Sequence, residues 1–264
     1  MADLRMIAPE ILDAPWLVER FDELDSTSME AARRASDGYH GPCWFTASQQ
    51  TSGRGRLGRK WVSDPGNLYA TALLPLQSFT DEIPILALSV GLAVHDCVRL
   101  LTNGEATPAL KWPNDVRVDG AKISGILLES GRSPFGDIWL AVGIGLNLKH
   151  APDIEGYRTS SLKDLTGQTT DPERAIDVLD ECVRRRLKQQ VLTGVNLILN
   201  DWHDASDQIG EVCSTRHDGQ DVRGEFIGLD AKGQMKLRHE NGDIVIITAG
   251  DVEIVRERSH VARD

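Results

Sequence analysis

Between Thr51 and Trp61 the chain reads Gly53-Arg54-Gly55-Arg56-Leu57-Gly58-Arg59-Lys60, four cations and three glycines in eight residues. Like charges this close repel and keep a segment open to water. Glycines lift the steric bar to positive φ and let a backbone approach a ligand closely. The run therefore reads as a loop that is costly to close alone and favourable to close around an anion. It stands out because the whole chain carries a formal net charge of -11. That balance argues against general nucleic-acid binding, which needs a basic face, and leaves room for one local basic site.

Two phosphate-binding strings overlap the loop, and context removes both. Gly53-x-Gly55-x-x-Gly58 spells the dinucleotide fingerprint, whose glycines must open a helix. Here Arg59-Lys60-Trp61-Val62-Ser63-Asp64-Pro65-Gly66 follows, which reads as loop. Gly53 to Gly58 also has P-loop spacing, but the metal-binding Ser or Thr hydroxyl after the lysine is missing. A solvated basic turn accounts for the arginines but not for the interleaved glycines or the closing tryptophan.

With 264 residues, 41% of them hydrophobic, the chain has material for one large domain and a small one. Cys43, Cys97, Cys182 and Cys213 lie far apart with no CxxC pair, which fits free thiols in a reducing compartment. Residues 1–20 do not form a signal peptide, and no apolar stretch reads as long enough to span a bilayer. A cytoplasmic protein is expected.

Met29–Ala35 reads as a short helix with the hydroxyls of Ser26-Thr27-Ser28 as its cap. Cys43–Ala47 and Asn67–Leu74 read as strands, the second ended by Pro75. Ile85–Leu101 has helical apolar spacing. A strand starts at Leu110 and breaks at Pro113. Asp119-Gly120 marks a hairpin between Val116–Val118 and Lys122–Leu128, and a Gly131–Gly136 turn leads to Ile138–Ile144. These tight turns imply an antiparallel meander. Thr170-Asp171-Pro172-Glu173 opens a helix, and a further apolar stretch, Val195–Leu199, ends near Trp202. Beyond Gly210 about five short strands, with Asn241-Gly242 as one turn, read as a small β-barrel or sandwich. The boundary is placed between residues 1–209 and 210–264.

The second unusual string is Lys111-Trp112-Pro113-Asn114-Asp115, at a strand break where Asn and Asp side chains either cap backbone or bind a ligand. Lys122 then opens an apolar strand, Lys122–Glu129, either snorkelling to solvent or reaching into a pocket as a counter-ion. Gly125 in that strand and Gly143-Ile144-Gly145-Leu146-Asn147 in the next point to close approach by a backbone or ligand. Taken in order, Ser26-Thr27, Gln50, the Gly53–Trp61 loop, Lys111–Asp115, Lys122–Glu129 and Gly143–Asn147 resemble the biotin–protein ligases, over about Asp25 to Asn147.

The resemblance implies an α+β fold: a class II synthetase-like, mostly antiparallel sheet with helices, plus a C-terminal SH3-like β-barrel. It implies ATP-dependent formation of biotinyl-5′-AMP, then transfer to a lysine of a biotin carboxyl carrier protein, with Mg²⁺ expected and no residue assigned as its ligand. Ser26, Thr27 and Gln50 match positions that bind the biotin head. Ser28 stands where the family has Asn, offering one hydroxyl in place of an amide. Arg54, Gly55 and Arg56 match the lid, with Gly125 beside the biotin. Lys122 matches the lysine at the carboxylate and phosphate. Arg59, Trp61, Lys111, Asn114, Asp115, Gly145 and Asn147 match the nucleotide side; for Trp61, core packing is the alternative. Lys122, Arg56 and Asp115 are the candidate catalytic groups, Asp115 by position only.

About twenty residues precede the first motif, so a monofunctional ligase without a DNA-binding domain is expected, as a monomer or weak homodimer. The alternatives are a lipoate or octanoate ligase or transferase of the same fold, against which the Gly–Arg loop and Lys-Trp-Pro-Asn-Asp argue, and a non-catalytic biotin sensor or repressor, which would carry a DNA-binding appendage.

Overall fold

The computed structural model describes residues 6–39, 41–78, 83–154, 156–217 and 219–255. Its first layer is a seven-stranded sheet of β1 (Leu17–Leu24), β2 (Cys43–Gln50), β3 (Leu68–Leu76), β4 (Pro108–Lys111), β5 (Asp115–Val118), β6 (Ala121–Arg132) and β7 (Ile138–Leu146). The order is β1-β2-β3-β7-β6-β5-β4. β1 and β2 run parallel and every other pair is antiparallel, so the expected meander is present as β4 to β7, with β3 docked on β7.

Asp119 and Gly120 both take positive φ, the backbone that a two-residue hairpin between β5 and β6 requires. β3 does not stop at Pro75 but runs through it. Beyond Leu73 the strand pairs with β7 alone, and a residue without an N–H is tolerated at such an edge. β4 begins at Pro108, before the expected Leu110. β1 gave no sequence signal because an edge strand in which half the residues are charged, LVERFDEL, has no buried face to alternate with.

The helices divide between the faces. α1 (Thr27–Ser36) packs on β2, β3 and β7 over Ala31, Ala35, Cys43, Phe45, Leu73 and Ala141. On the opposite face lie α2 (Ile83–Leu101), α4 (Pro172–Thr193) and α5 (Val195–Ala205), while α3 (Leu162–Thr166) is a single capped turn after β7. Asp171 caps α4, its carboxylate accepting from Glu173 N at 3.0 Å, as the sequence predicted. Ser26 holds the N-cap position of α1, but its hydroxyl does not cap; it lies 3.0 Å from Ser28 Oγ.

The expectation that no stretch could span a bilayer needs correcting for α2, which is 19 residues long with a mean hydropathy of 1.6 over its most apolar window. Its apolarity has another cause here. Of that window 61% is buried, and the helix is the centre of the main core.

A second, fully antiparallel sheet follows: β8 (Val212–His217), β9 (Gln220–Leu229), β10 (Met235–Arg238), β11 (Ile244–Ile247) and β12 (Val252–Ile254), in the order β11-β10-β9-β8-β12. Its buried Phe226, Met235, Leu237, Ile247 and Val252 are continuous with the main core. Trp112, in the turn after β4, fastens the two sheets: its N–H donates to Gln208 Oε1 at 2.7 Å and its indole Nε1 to Gly233 O at 3.1 Å. The expected α+β architecture is what the chain adopts.

Candidate functional site

On the α1 face of the large sheet, alternation directs Tyr69 and Thr71 of β3 and Gly143 and Gly145 of β7 towards one site beyond the helix. They floor a cavity of about 360 Å³. Every candidate residue named from the sequence lines it: Ser26, Thr27, Ser28, Gln50, Arg54, Gly55, Arg56, Arg59, Trp61, Lys111, Asn114, Asp115, Lys122, Gly125, Gly145 and Asn147.

One end is neutral and rich in hydroxyls. Gln50 Oε1 accepts from Thr27 N at 2.8 Å and Thr27 Oγ1 at 3.2 Å, while Gln50 Nε2 donates to Ser63 Oγ at 2.8 Å. Thr71, fully buried, donates to Thr27 Oγ1 at 2.8 Å. Amide and hydroxyl groups held this way suit a neutral polar head with both donors and acceptors.

The other end is charged. Lys122 Nζ lies 2.6 Å from Asp115 Oδ1. Tyr157 Oη donates to Asp115 Oδ2 at 3.2 Å and accepts from Lys111 Nζ at 2.7 Å. Burial pushes the Lys111 ammonium below its ordinary pKa. Asn147 anchors the segment beyond β7, donating from Nδ2 to Ser160 O at 3.1 Å.

Lys122 reaches this face because the β5–β6 register shifts. Asp115 pairs with Gly125 and Val116 with Ser124, but Arg117 pairs with Lys122, leaving Ile123 as an extra residue in β6. Strict alternation would put Lys122 and Gly125 on opposite faces; the bulge puts them on the same one.

The Gly–Arg loop is folded as a narrow hairpin over the cavity. Trp61 N donates to Gly53 O at 2.9 Å and Gly55 N to Arg59 O at 2.7 Å, with Gly58 in the left-handed region at its tip. Repulsion among its cations is offset by partners from elsewhere in the chain. Arg54 pairs with Glu129 at 2.9 Å, Arg56 Nη1 donates to Asn114 Oδ1 at 3.1 Å, and Arg59 pairs with Asp251 of the second sheet. The Asp251 carboxylate raises the Arg59 pKa, whereas burial lowers that of Arg56. Trp61 lies across Gly125 and Gly145, which face each other in register. The close approach expected at both glycines is therefore made, in this structure, by an indole. Its Nε1 is buried and has no hydrogen-bond partner among the described residues.

Sequence reasoning missed Tyr157, Thr71, Asp251 and Val252, all in the cavity wall. Thr71 carried a findable signal, a lone hydroxyl between apolar neighbours in a strand facing Gly143. Tyr157 and Asp251 carried none, since their places depend on a loop path and on the docking of the second sheet.

Residues 19–148 match the biotin/lipoate A/B protein ligase family, and residues 209–255 match the biotin protein ligase C-terminal domain. The biotin–[acetyl-CoA-carboxylase] ligase of Paracoccus denitrificans is 38% identical over 85% of this chain and 95% of its own length. This chain belongs to the biotin protein ligase family. The biotin protein ligase of Aquifex aeolicus in complex with biotin and ATP superposes with a TM-score of 0.78 at 30% identity, covering 91% of this chain and 99% of that one. The Leishmania major biotin protein ligase in complex with biotinyl-5-AMP gives 0.64 at 26% identity, covering 89% and 100%. A ligase of this family must hold a neutral ureido head, a carboxylate and a nucleotide in one enclosure. The cavity has a hydroxyl–amide end and a cationic end.

Proposed function

We propose that this chain is a biotin–[acetyl-CoA-carboxylase] ligase that activates biotin with ATP and passes it to a lysine of a biotin carboxyl carrier protein. The observation that carries this reading is the convergence of all six sequence strings on one cavity, neutral at Thr27 and Gln50 and cationic at Lys111 and Lys122.

In the first half-reaction a biotin carboxylate oxygen attacks the α-phosphorus of ATP and pyrophosphate leaves, giving biotinyl-5′-AMP. Two anions must meet, so fixed positive charge in an enclosed site supplies most of the help a protein can give. Lys122 is the central cation, with Lys111 behind it and Arg56 above it in the lid. Thr27 and Gln50 orient the ureido head. Trp61, Asn114, Asp115 and Asn147 form the nucleotide wall, and Arg54 and Arg59 hold the lid down. In the second half-reaction the carrier lysine's Nζ attacks the acyl carbon and AMP leaves. Asp115, in the cavity wall, is the candidate acceptor for the proton that the amine loses, and positioning supplies much of the rate for so reactive an anhydride.

Mg²⁺ would be carried chiefly by the ATP phosphates. Among the described residues no group of three or more His, Cys, Asp or Glu side chains converges. We take residues 1–209 as the catalytic unit and residues 210–264 as the smaller one, a division supported by the end of α5 at Ala205 and the start of β8 at Val212.

The test is ATP–pyrophosphate exchange with biotin or lipoate, followed by labelling of an apo carrier domain. Biotin-dependent exchange and carrier biotinylation are expected; labelling with lipoate alone would reject the reading.

A further inference from the structure

We infer that Tyr157 is a positioning residue for the activation half-reaction: its hydroxyl links Lys111 to Asp115 and so sets both lysines of the site around one shared carboxylate. The inference rests on the ligase reading above and adds a residue that no sequence string pointed to.

The geometry leaves little choice of side chain. An ammonium only donates and a carboxylate only accepts, so a group bridging Nζ of Lys111 to Oδ2 of Asp115 must do both. Tyr157 Oη does, at 2.7 and 3.2 Å. Asp115 then keeps its other oxygen for Lys122, at 2.6 Å. Two cations and one anion leave one net positive charge facing the cavity, matched to an anion arriving at the α-phosphate position.

The backbone fixes the tyrosine where it is needed. Lys122 N donates to Arg158 O at 2.8 Å and Ser160 N to Lys122 O at 2.9 Å, so the segment beyond β7 is laced to Lys122 itself. The Tyr157 ring centroid stands 5.8 Å from Lys122 Nζ. Removing the hydroxyl alone would keep that contact. It would leave Lys111 Nζ without this acceptor and Asp115 Oδ2 without this donor, and Asp115 would then draw more heavily on Lys122.

The pH dependence has a definite sign. Burial already lowers the Lys111 pKa; Asp115 and Glu253 oppose that shift, while Arg117 and Lys122 reinforce it. Losing the Tyr157 oxygen lowers it further, so charge at Lys111 is lost at a lower pH. Burial and the adjacent Asp115 hold the Tyr157 hydroxyl itself well above the ordinary phenol range, so it stays protonated throughout.

Biotin-dependent ATP–pyrophosphate exchange, measured across pH 6.5 to 10 for the unaltered protein and for Tyr157→Phe, tests this. The variant should lose roughly tenfold in kcat at neutral pH with the KM for biotin little changed. Its alkaline limb should move towards neutrality by about one pH unit. Adding Lys111→Arg, whose guanidinium keeps its charge across this range, to Tyr157→Phe should abolish the shifted limb up to pH 10. An alkaline limb that does not move in Tyr157→Phe, at any rate of exchange, overturns the inference while leaving the ligase reading intact. No biotin-dependent exchange in the unaltered protein overturns both.

Discussion

The indole of Trp61 occupies the space a side chain at Gly145 would need: a Cβ there would fall 2.3 Å from Trp61 Cε2. The lid's closing residue and the cavity floor are therefore fitted to one another. Gly145→Ala should displace the indole at the cost of an overpacked contact, weakening nucleotide binding by roughly tenfold or more. Calorimetric titration with ATP in the presence of biotin measures it. Unchanged affinity would mean that the tryptophan contributes nothing to that wall.

Lys122→Ala removes the cation paired with Asp115. Biotin-dependent pyrophosphate exchange should fall roughly 100- to 1,000-fold, the scale of losing one preorganised charge-stabilising group. Asp115 keeps Tyr157 as a donor, so the stability loss should stay near 1–3 kcal/mol, and the circular dichroism spectrum should be native. Exchange at the original rate would remove Lys122 from the mechanism.

Arg56→Gly deletes a half-buried lid cation and its 3.1 Å hydrogen bond to Asn114. The adenylate should escape faster, and lysines of a bystander protein in the same tube should become biotinylated. The Arg54–Glu129 and Arg59–Asp251 pairs remain, but both are substantially exposed and worth under about 1 kcal/mol each. They do not make up the loss. A bystander as unlabelled as in the control reaction would show that retention has another source.

Far from the cavity, Asp96 of α2 accepts from Arg186 Nε of α4 at 2.8 Å and from Arg185 Nη2 at 2.9 Å. Burial pushes its carboxyl pKa up, but the hydrogen bonds from His95 and Arg186 outweigh this and hold it well below the ordinary range. A depressed carboxyl pKa stabilises the fold above the unfolded value and loses that contribution as pH falls below about 4 towards the folded one. Urea unfolding should find Asp96→Asn less stable than the parent at pH 7, with the gap narrowing at pH 3. A gap that is constant with pH would refute the assignment.

Elements with a strong period or punctuation were legible in the sequence. The buried α2, the Asp171 cap of α4, the Asp119-Gly120 hairpin and the strands β9, β10 and β11 around Asn241-Gly242 each carry their own local signal, whereas β8 and β12 were expected only as part of a count of five. The edge strand β1 carries none, because a charged edge buries no face. The run through Pro75 was hidden because whether a proline can stand in a strand depends on what lies beside it.

For the site, the sequence by itself determined which chemistry was on hand: a glycine–arginine lid, paired hydroxyls, two lysines and the glycines that make room. Those are properties of residue type and spacing, and short spacing survives folding. Only the tertiary structure decided how they meet. A bulge at Ile123 turns Lys122 onto the cavity face, a loop beyond β7 delivers Tyr157 between the two lysines, and the second sheet brings Asp251 to Arg59. Each of these joins residues distant in the chain or reverses an alternation rule, so their encounter is set by backbone path and packing. The loop that by its charge alone should stay open is held down by acids from two other parts of the fold.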